Sequence, residues 1–539
     1  MPTKEEFIKK IQAGYTFKGE SMIVGASMLG EEVLPDAMVS IPLKTLNRHG
    51  LVAGATGTGK TKTLQMLTEN LSMLSIPVLL MDIKGDISGL AAEGSENPKI
   101  HDRHEQLGLP WTAKGYPVEL LTISKQDGVR MRATVSEFGP TLMGKILELN
   151  DIQGSVLSLI FKWCDDNGLP LLDLKDLKKV LQYVTGEGKE EIEKEYGRVS
   201  TSTTGIILRK IVELEQQGAE LFFGEKSFEV EDLTRISEDG YGIIHILRLN
   251  ALQDRPKMFS TFMLCLLAEI YQTFPEEGDM DAPKLVIFID EAHLIFEEAS
   301  GALMDQIETM VKLIRSKGVG LFFCTQNPDD VPTAVLSQLG LKVQHALRAF
   351  TAKDRKSIKL AAENFPESEY YQVDALLTEM GVGEALVTAL DEKGIPTPLA
   401  RTMLRAPQSR MDVLTDLEIR DLIRGSKMAA KYNQEVDRES AYEMLNDKLA
   451  AAEEAAEAAE LQRKEEEIKA KEAELWRKAE EREQRQRPQK STFERVATSA
   501  VGTTIVREVT RGILGVLGLG GRSRSSSGSN RRRSRPGWW

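Results

Sequence analysis

The segment Lys284-Leu285-Val286-Ile287-Phe288-Ile289-Asp290-Glu291 is apolar almost without a break and ends in two acids. A run with no polar alternation predicts a strand buried on both faces of a parallel sheet. Gly320-Leu321-Phe322-Phe323-Cys324-Thr325-Gln326 has the same form with a polar tip. So does Val78-Leu79-Leu80-Met81-Asp82, which runs on into Ile83-Lys84-Gly85-Asp86. Gly242-Ile243-Ile244-His245-Ile246-Leu247 predicts another strand, and residues 342–350 and 384–390 predict closing strands. Residues 258–271 have the pattern of a buried helix and 304–314 that of an amphipathic one. Strands alternating with helices in this way predict an α/β fold with a mainly parallel sheet. In such sheets ligands bind at the carboxyl ends of the strands, where the acids fall.

The pattern divides the chain further. Residues 1–45 carry short strand-like pieces, Ser21-Met22-Ile23-Val24-Gly25 and Ala37-Met38-Val39-Ser40-Ile41, which predict a small N-terminal β element. Residues 46–95 and 241–410 form the α/β core. Residues 96–240 read as a mostly helical insertion, with helical spacing at 142–149, 156–163 and 206–214 and a β piece around 117–123. Residues 411–490 predict charged C-terminal helices, and 440–487 hold neither glycine nor proline, which predicts one long helix. Its apolar Leu461, Ile468 and Leu475 repeat every seven residues but fill one heptad position, where strong coiled coils fill two. A solitary solvated helix and a weak self-association element both satisfy that pattern. Residues 491–539 predict a flexible tail, and 521–539 contain six arginines and no acid. The apolar Ile513-Leu514-Gly515-Val516-Leu517-Gly518-Leu519 just before it would suit docking on the body, a partner or a membrane surface.

Composition narrows the classes. Apolar residues make up 41% of the chain and charged residues 28%, as expected of a soluble globular protein. A net charge of −13 argues against a uniformly basic nucleic-acid binder but leaves a locally basic channel open. Three scattered cysteines, Cys164, Cys265 and Cys324, support neither a disulfide framework nor a zinc site. His101 and His104 lack a second ligand pair. No apolar stretch is long enough to cross a bilayer, and the N-terminus lacks a secretory pattern, so the expected location is cytoplasmic.

The most specific chemistry lies at Gly54-Ala55-Thr56-Gly57-Thr58-Gly59-Lys60-Thr61, a complete phosphate-binding loop. The strand-like Gly50-Leu51-Val52-Ala53 precedes it and a helical pattern from Lys62 follows. Glycines let successive N–H groups turn toward an anion, and the helix N-terminus adds positive charge. Residues 54–62, including the backbone of Lys62, are the expected nucleotide contacts. Lys60 reaches toward the β- and γ-phosphates, and the Thr61 hydroxyl suits Mg²⁺. The expected ligands are therefore ATP and Mg²⁺.

Hydrolysis also needs a carboxylate near the metal and a group that orients water. Asp290 is expected in the Mg²⁺ shell and Glu291 beside the attacking water. Lys60 and Asp290 lie far apart in the chain, so strands must come between them, which points to the hydrolases that insert a strand between the two motif strands. Gln326, ending the next strand, could contact the γ-phosphate or the water. Arg315 could neutralise charge on the transferring phosphoryl group, with Arg348 a weaker competitor. Gln326 has a plainer reading as an exposed polar strand cap, and Arg315 reads equally simply as a solvated residue at a helix end.

These pieces in this order resemble the HerA/FtsK superfamily of ring-forming P-loop ATPases. The carriers are residues 54–61, Asp82-Ile83-Lys84-Gly85-Asp86, Phe288-Ile289-Asp290-Glu291-Ala292-His293, and Cys324-Thr325-Gln326-Asn327-Pro328-Asp329-Asp330-Val331-Pro332. The chain is most similar to the bacterial HerA-like C-terminal-domain family of the YjgR type, over roughly residues 15–410. The resemblance implies a RecA-like core, a hexameric ring, and ATP bound between subunits with Arg315 supplied by a neighbour. It implies a translocase on double-stranded DNA working with a nuclease. Two other functions stay open: a motor acting on a protein partner or secretion-type complex, and a slow ATP-binding switch. The cluster Lys353, Arg355, Lys356 and Lys359 would suit DNA, or may be read as a plain helix face.

Overall fold

The computed structural model describes residues 3–485, apart from 254, 279, 297–300, 435 and 437. The flexible tail predicted for residues 491–539, with its apolar segment 513–519, lies outside the described residues. Contacts divide the chain into a unit ending at Ala450 and a second beginning at Ala451.

The first unit is built on one sheet. Its strands are β1 (Ser21–Leu29), β2 (Glu32–Pro42), β3 (Gly50–Ala53), β4 (Val78–Asp82), β5 (Val118–Thr122), β6 (Val129–Arg130), β7 (Ile244–Arg248), β8 (Leu285–Ile289), β9 (Val319–Thr325), β10 (Leu341–Gln344), β11 (Glu384–Thr388) and β12 (Ala400–Leu404). Their order across the sheet is β2-β1-β12-β11-β10-β3-β9-β8-β4-β7-β5-β6. From β10 to β6 all neighbours are parallel, while β11, β12, β1 and β2 continue the sheet antiparallel. The mainly parallel α/β fold predicted from the apolar runs is the one observed.

The unbroken hydrophobicity of the central strands has a direct cause. Successive side chains of a strand point to opposite faces, and here both faces are covered. Leu285, Ile287 and Ile289 enter one core together with Leu321 and Phe323. Val286 and Phe288 enter the other together with Phe322 and Cys324. The helix Lys60–Met73 packs on that second face through Leu64, Leu67 and Leu71. The helices Asp151–Asp166, Leu174–Tyr183 and Thr201–Gln216 share the first core through Trp163, Leu177 and Ile207. Fully burying one such side chain contributes roughly 1.5–3 kcal/mol.

Two features extend the predicted pattern. The N-terminal strands form a hairpin that joins the main sheet through β12, with Ala26 opposite Met403. The β piece near 117–123 is β5, which pairs with β7 in the same sheet, so the inserted region is divided: the helix Pro98–Leu107 precedes that strand and the other helices follow from Val135. All three cysteines are buried and free. The helix Ala441–Arg485 is continuous, with Leu461 and Leu475 more than half exposed.

Candidate nucleotide site

The phosphate loop leaves the carboxyl end of β3 and closes on the helix that begins at Lys60. Its backbone needs glycine. Gly59 has φ +111°, and a Cβ there would sit 3.2 Å from the Gly383 amide nitrogen. At Gly54 a Cβ would lie 2.5 Å from the Cβ of His345. The loop is also tied from outside. Ala55 N donates to Ala346 O at 2.8 Å, and Gly383 N donates to Thr58 O at 3.0 Å. Gly383 is in turn held by Arg103, whose Nη1 donates to its carbonyl at 3.1 Å. The end of β10, parallel to β3, and the start of the antiparallel β11 thus brace the loop. Nothing in the local sequence signalled Gly383 or Arg103, because their role comes from a neighbouring strand turn and a distant helix.

Lys60 is buried, and its Nζ donates to Gly54 O at 2.6 Å, inside the curl of the loop. Burial lowers its pKa, and the charges of Glu291 and Asp290 act against that shift. Thr61 Oγ1 donates to Asp86 Oδ2 at 3.4 Å. The Lys62 ammonium is directed away, to Met411 O and to Gln65 Oε1.

The acids stand at the carboxyl end of β8, and β9 lies between β8 and β3. The inserted strand expected from the motif spacing is therefore β9. Gln326 follows the last residue of β9 and is exposed, so it emerges between the phosphate loop and the acids. Burial, then the adjacent Glu291 charge, push the Asp290 carboxyl up to about 7. Burial also pushes Asp82 up to about 6, against hydrogen bonds from the backbone of Gly85, Asp86 and Ile87. Glu291 behaves differently. Burial would raise its pKa, but Lys84, Lys60 and His293 outweigh burial and hold it below the ordinary carboxylate value. Lys84 Nζ pairs with Glu291 Oε1, and His293 Nδ1 lies 3.2 Å from Oε2. Glu291 has φ +46°, a left-handed backbone that a non-glycine residue seldom adopts and that recurs at functional sites.

This donor set fits a magnesium nucleotide. The loop glycines and the helix N-terminus face an anion, and Thr61, Asp86 and Asp290 offer hard oxygen ligands of the kind Mg²⁺ takes. One oxygen of Asp86 is buried without a hydrogen-bond partner. Burial raises Asp290 and Asp82 first and neighbouring carboxylates add to it, and a divalent cation would offset both by favouring the charged forms.

Arg315 lies elsewhere. It is exposed on the turn Ile314–Lys317, before the amino end of β9. The seven residues of β9 separate it from the phosphate loop by about 20 Å. Within one chain Arg315 and Lys60 are not brought together. Arg348 is exposed just beyond β10, on the phosphate-loop side of the sheet.

The fold and the site define a P-loop ATPase of the HerA/FtsK class. A profile described as "Helicase HerA-like C-terminal" matches residues 28–524, so the chain belongs to that family. It is similar to the DNA double-strand break repair helicase HerA of Saccharolobus solfataricus, with 23% identity over 391 residues, 72% of this chain and 69% of that protein. The protein of the same name from Sulfurisphaera tokodaii is 24% identical over 377 residues, 67% of this chain and 66% of that one. The chain thus spans about two thirds of the length of these relatives. Among solved structures, the bacterial conjugative coupling protein TrwBdeltaN70 aligns at 14% identity with a TM-score of 0.48, covering 76% of this chain and 95% of that one. VirB4 of Thermoanaerobacter pseudethanolicus aligns at 16% with a TM-score of 0.46, covering 72% and 97%. The class assignment rests on the strand order, the loop and the family match. Among the described residues no helix is long and apolar enough to cross a membrane.

Proposed function

We propose that this protein hydrolyses Mg·ATP to move along double-stranded DNA as a cytoplasmic ring of subunits. Lys60 holds the β- and γ-phosphates, with the N–H groups of residues 54–62 around them. Thr61 and Asp290 hold Mg²⁺, which when bound offsets the phosphate charge. Glu291 orients the attacking water, and Gln326 reports the state of the γ-phosphate. Arg315 serves the site of the adjacent subunit, which its place at the opposite pole of the sheet allows. A ring of six subunits and a nuclease partner complete the reading, as the resemblance of the sequence motifs to the HerA/FtsK superfamily implies.

One observation carries the choice of DNA. The helix Ala352–Glu363 buries Ile358 and Ala361 and leaves Lys353, Arg355, Lys356 and Lys359 exposed. Phe350, just before it, is 86% exposed, and Arg348 is exposed beside it. None of these five cations forms an ion pair among the described residues. The segment continues from β10, the strand beside the phosphate loop, so nucleotide and polymer would meet on one side of the sheet. Basic side chains next to an exposed ring suit a phosphate backbone, and an acidic protein needs such a local patch to bind one. ATPase rates with and without duplex DNA, across a salt series, test the reading. Stimulation that falls steeply with salt supports it, and turnover indifferent to DNA points to a protein substrate instead.

A further inference from the structure

We propose that Lys84 is a positioning residue for hydrolysis, holding the Glu291 carboxylate in the direction from which it orients water. The inference rests on the role given above to Glu291. It starts from the ion pair between Lys84 Nζ and Glu291 Oε1, in which the glutamate side chain is 6% exposed and the lysine side chain 37%. A carboxylate this buried has few directions open to it. One oxygen meets Lys84 and the other lies 3.2 Å from His293 Nδ1. The backbone of Glu291 is left-handed, at φ +46°, so its side chain leaves the strand end at an angle that the regular β8 geometry would not provide.

Lys84 is itself well placed to act as a fixed anchor. It sits in the loop after β4, the strand next to β8. Asp82 pins that loop by accepting from Gly85 N at 2.7 Å, Asp86 N at 3.3 Å and Ile87 N at 3.4 Å. Two residues on from Lys84, Asp86 accepts from Thr61. One short loop therefore touches both the water-orienting acid and the hydroxyl expected on Mg²⁺. Because Lys84 is partly exposed, replacing it removes little packing, and its loss acts through Glu291.

The test uses the full chain and four variants: Lys84→Met, Lys84→Arg, Glu291→Gln, and the double variant of Lys84→Met with Glu291→Gln. Phosphate release gives kcat and KM, binding of a fluorescent ATP analogue gives affinity, and thermal melting confirms folding. Lys84→Met is expected to lower kcat on the order of a hundredfold, the scale of a misplaced catalytic group. Affinity should stay within about threefold, Lys84→Arg should recover part of the rate, and the double variant should be no slower than Glu291→Gln alone. Wild-type turnover by Lys84→Met beside an inactive Glu291→Gln overturns the proposal and leaves the role of Glu291 standing. Loss of affinity in step with kcat also overturns it, by assigning Lys84 to the phosphates. Wild-type turnover by Glu291→Gln removes the role of Glu291 and this proposal with it.

Discussion

Glu69, two turns along the helix that carries Lys60 and Thr61, accepts the backbone N–H of Ser409 at 3.0 Å across a sequence separation of 340 residues. The Ser409 hydroxyl donates to the same oxygen, Oε1, and the other oxygen, Oε2, accepts Gln408 N at 2.8 Å. Gln65 on the same helix donates to Arg410 O at 2.8 Å. The segment after β12 is thus strapped to the helix that presents the phosphate loop. Glu69→Ala leaves two buried amides without partners and should cost about 2–4 kcal/mol of stability. Chemical denaturation measures this, and an unchanged midpoint would show that the strap is not held by Glu69.

Nucleotide binding and turnover should separate by residue. Lys60→Ala is expected to weaken ATP binding, since it removes the buried cation whose Nζ lies on Gly54 O inside the loop's curl. Glu291→Gln should bind ATP as the wild type does and hydrolyse it at least about a hundredfold more slowly. Calorimetry for binding and phosphate release for turnover check the pair. Equal loss of binding in both variants would contradict the division of roles.

Arg315 gives a test of assembly. If it acts on the next subunit's nucleotide, Arg315→Ala and Glu291→Gln are each inactive alone, yet a mixture recovers some turnover at mixed interfaces. A fully active Arg315→Ala ring, or a single subunit that turns over unaided, would remove Arg315 from the mechanism.

The basic helix predicts a salt effect. Changing Lys353, Lys356 and Lys359 to alanine should weaken duplex binding and reduce the slope of log affinity against log salt by up to about 3. ATP hydrolysis without DNA should stay within about twofold of the wild type. An unchanged slope would place the DNA elsewhere.

His49 supplies a pH prediction with a definite sign. Its Nδ1 accepts from Leu321 N at 3.0 Å, and its Nε2 lies 2.7 Å from Val311 O, which together require the neutral ring. Burial lowers its pKa to about 4 from the ordinary 6.5. Its contribution is complete above about 6.5 and is lost as pH falls toward 4, because the unfolded chain takes up the proton first. Asp82 and Asp290, both raised, act with the opposite sign over the same range. The comparison is therefore with His49→Gln, which can accept and donate in the same places and does not titrate. From pH 6.5 to 4 the wild type should lose about 3 kcal/mol relative to that variant. A constant difference across the range would show that the ring titrates normally.

The chain's own order of residues already determined the class. Apolar runs such as 285–289 can be satisfied only by a strand covered on both faces, and a glycine loop between strand and helix has one common use. Local spacing alone placed Lys60 and Thr61 at the start of one helix and Asp290 and Glu291 at the end of one strand. What spacing could not decide was which tips become neighbours, since strand order is a property of the whole sheet. An inserted strand was expected from the motif spacing, but only the tertiary structure identified it as β9, placed Arg315 at the far pole, and turned the Lys84 ammonium onto Glu291. The physical reason is range: backbone propensity acts over a few residues, whereas the parallel pairing of β4 with β8 joins segments about two hundred residues apart by ladder hydrogen bonds and the packing of the folded sheet.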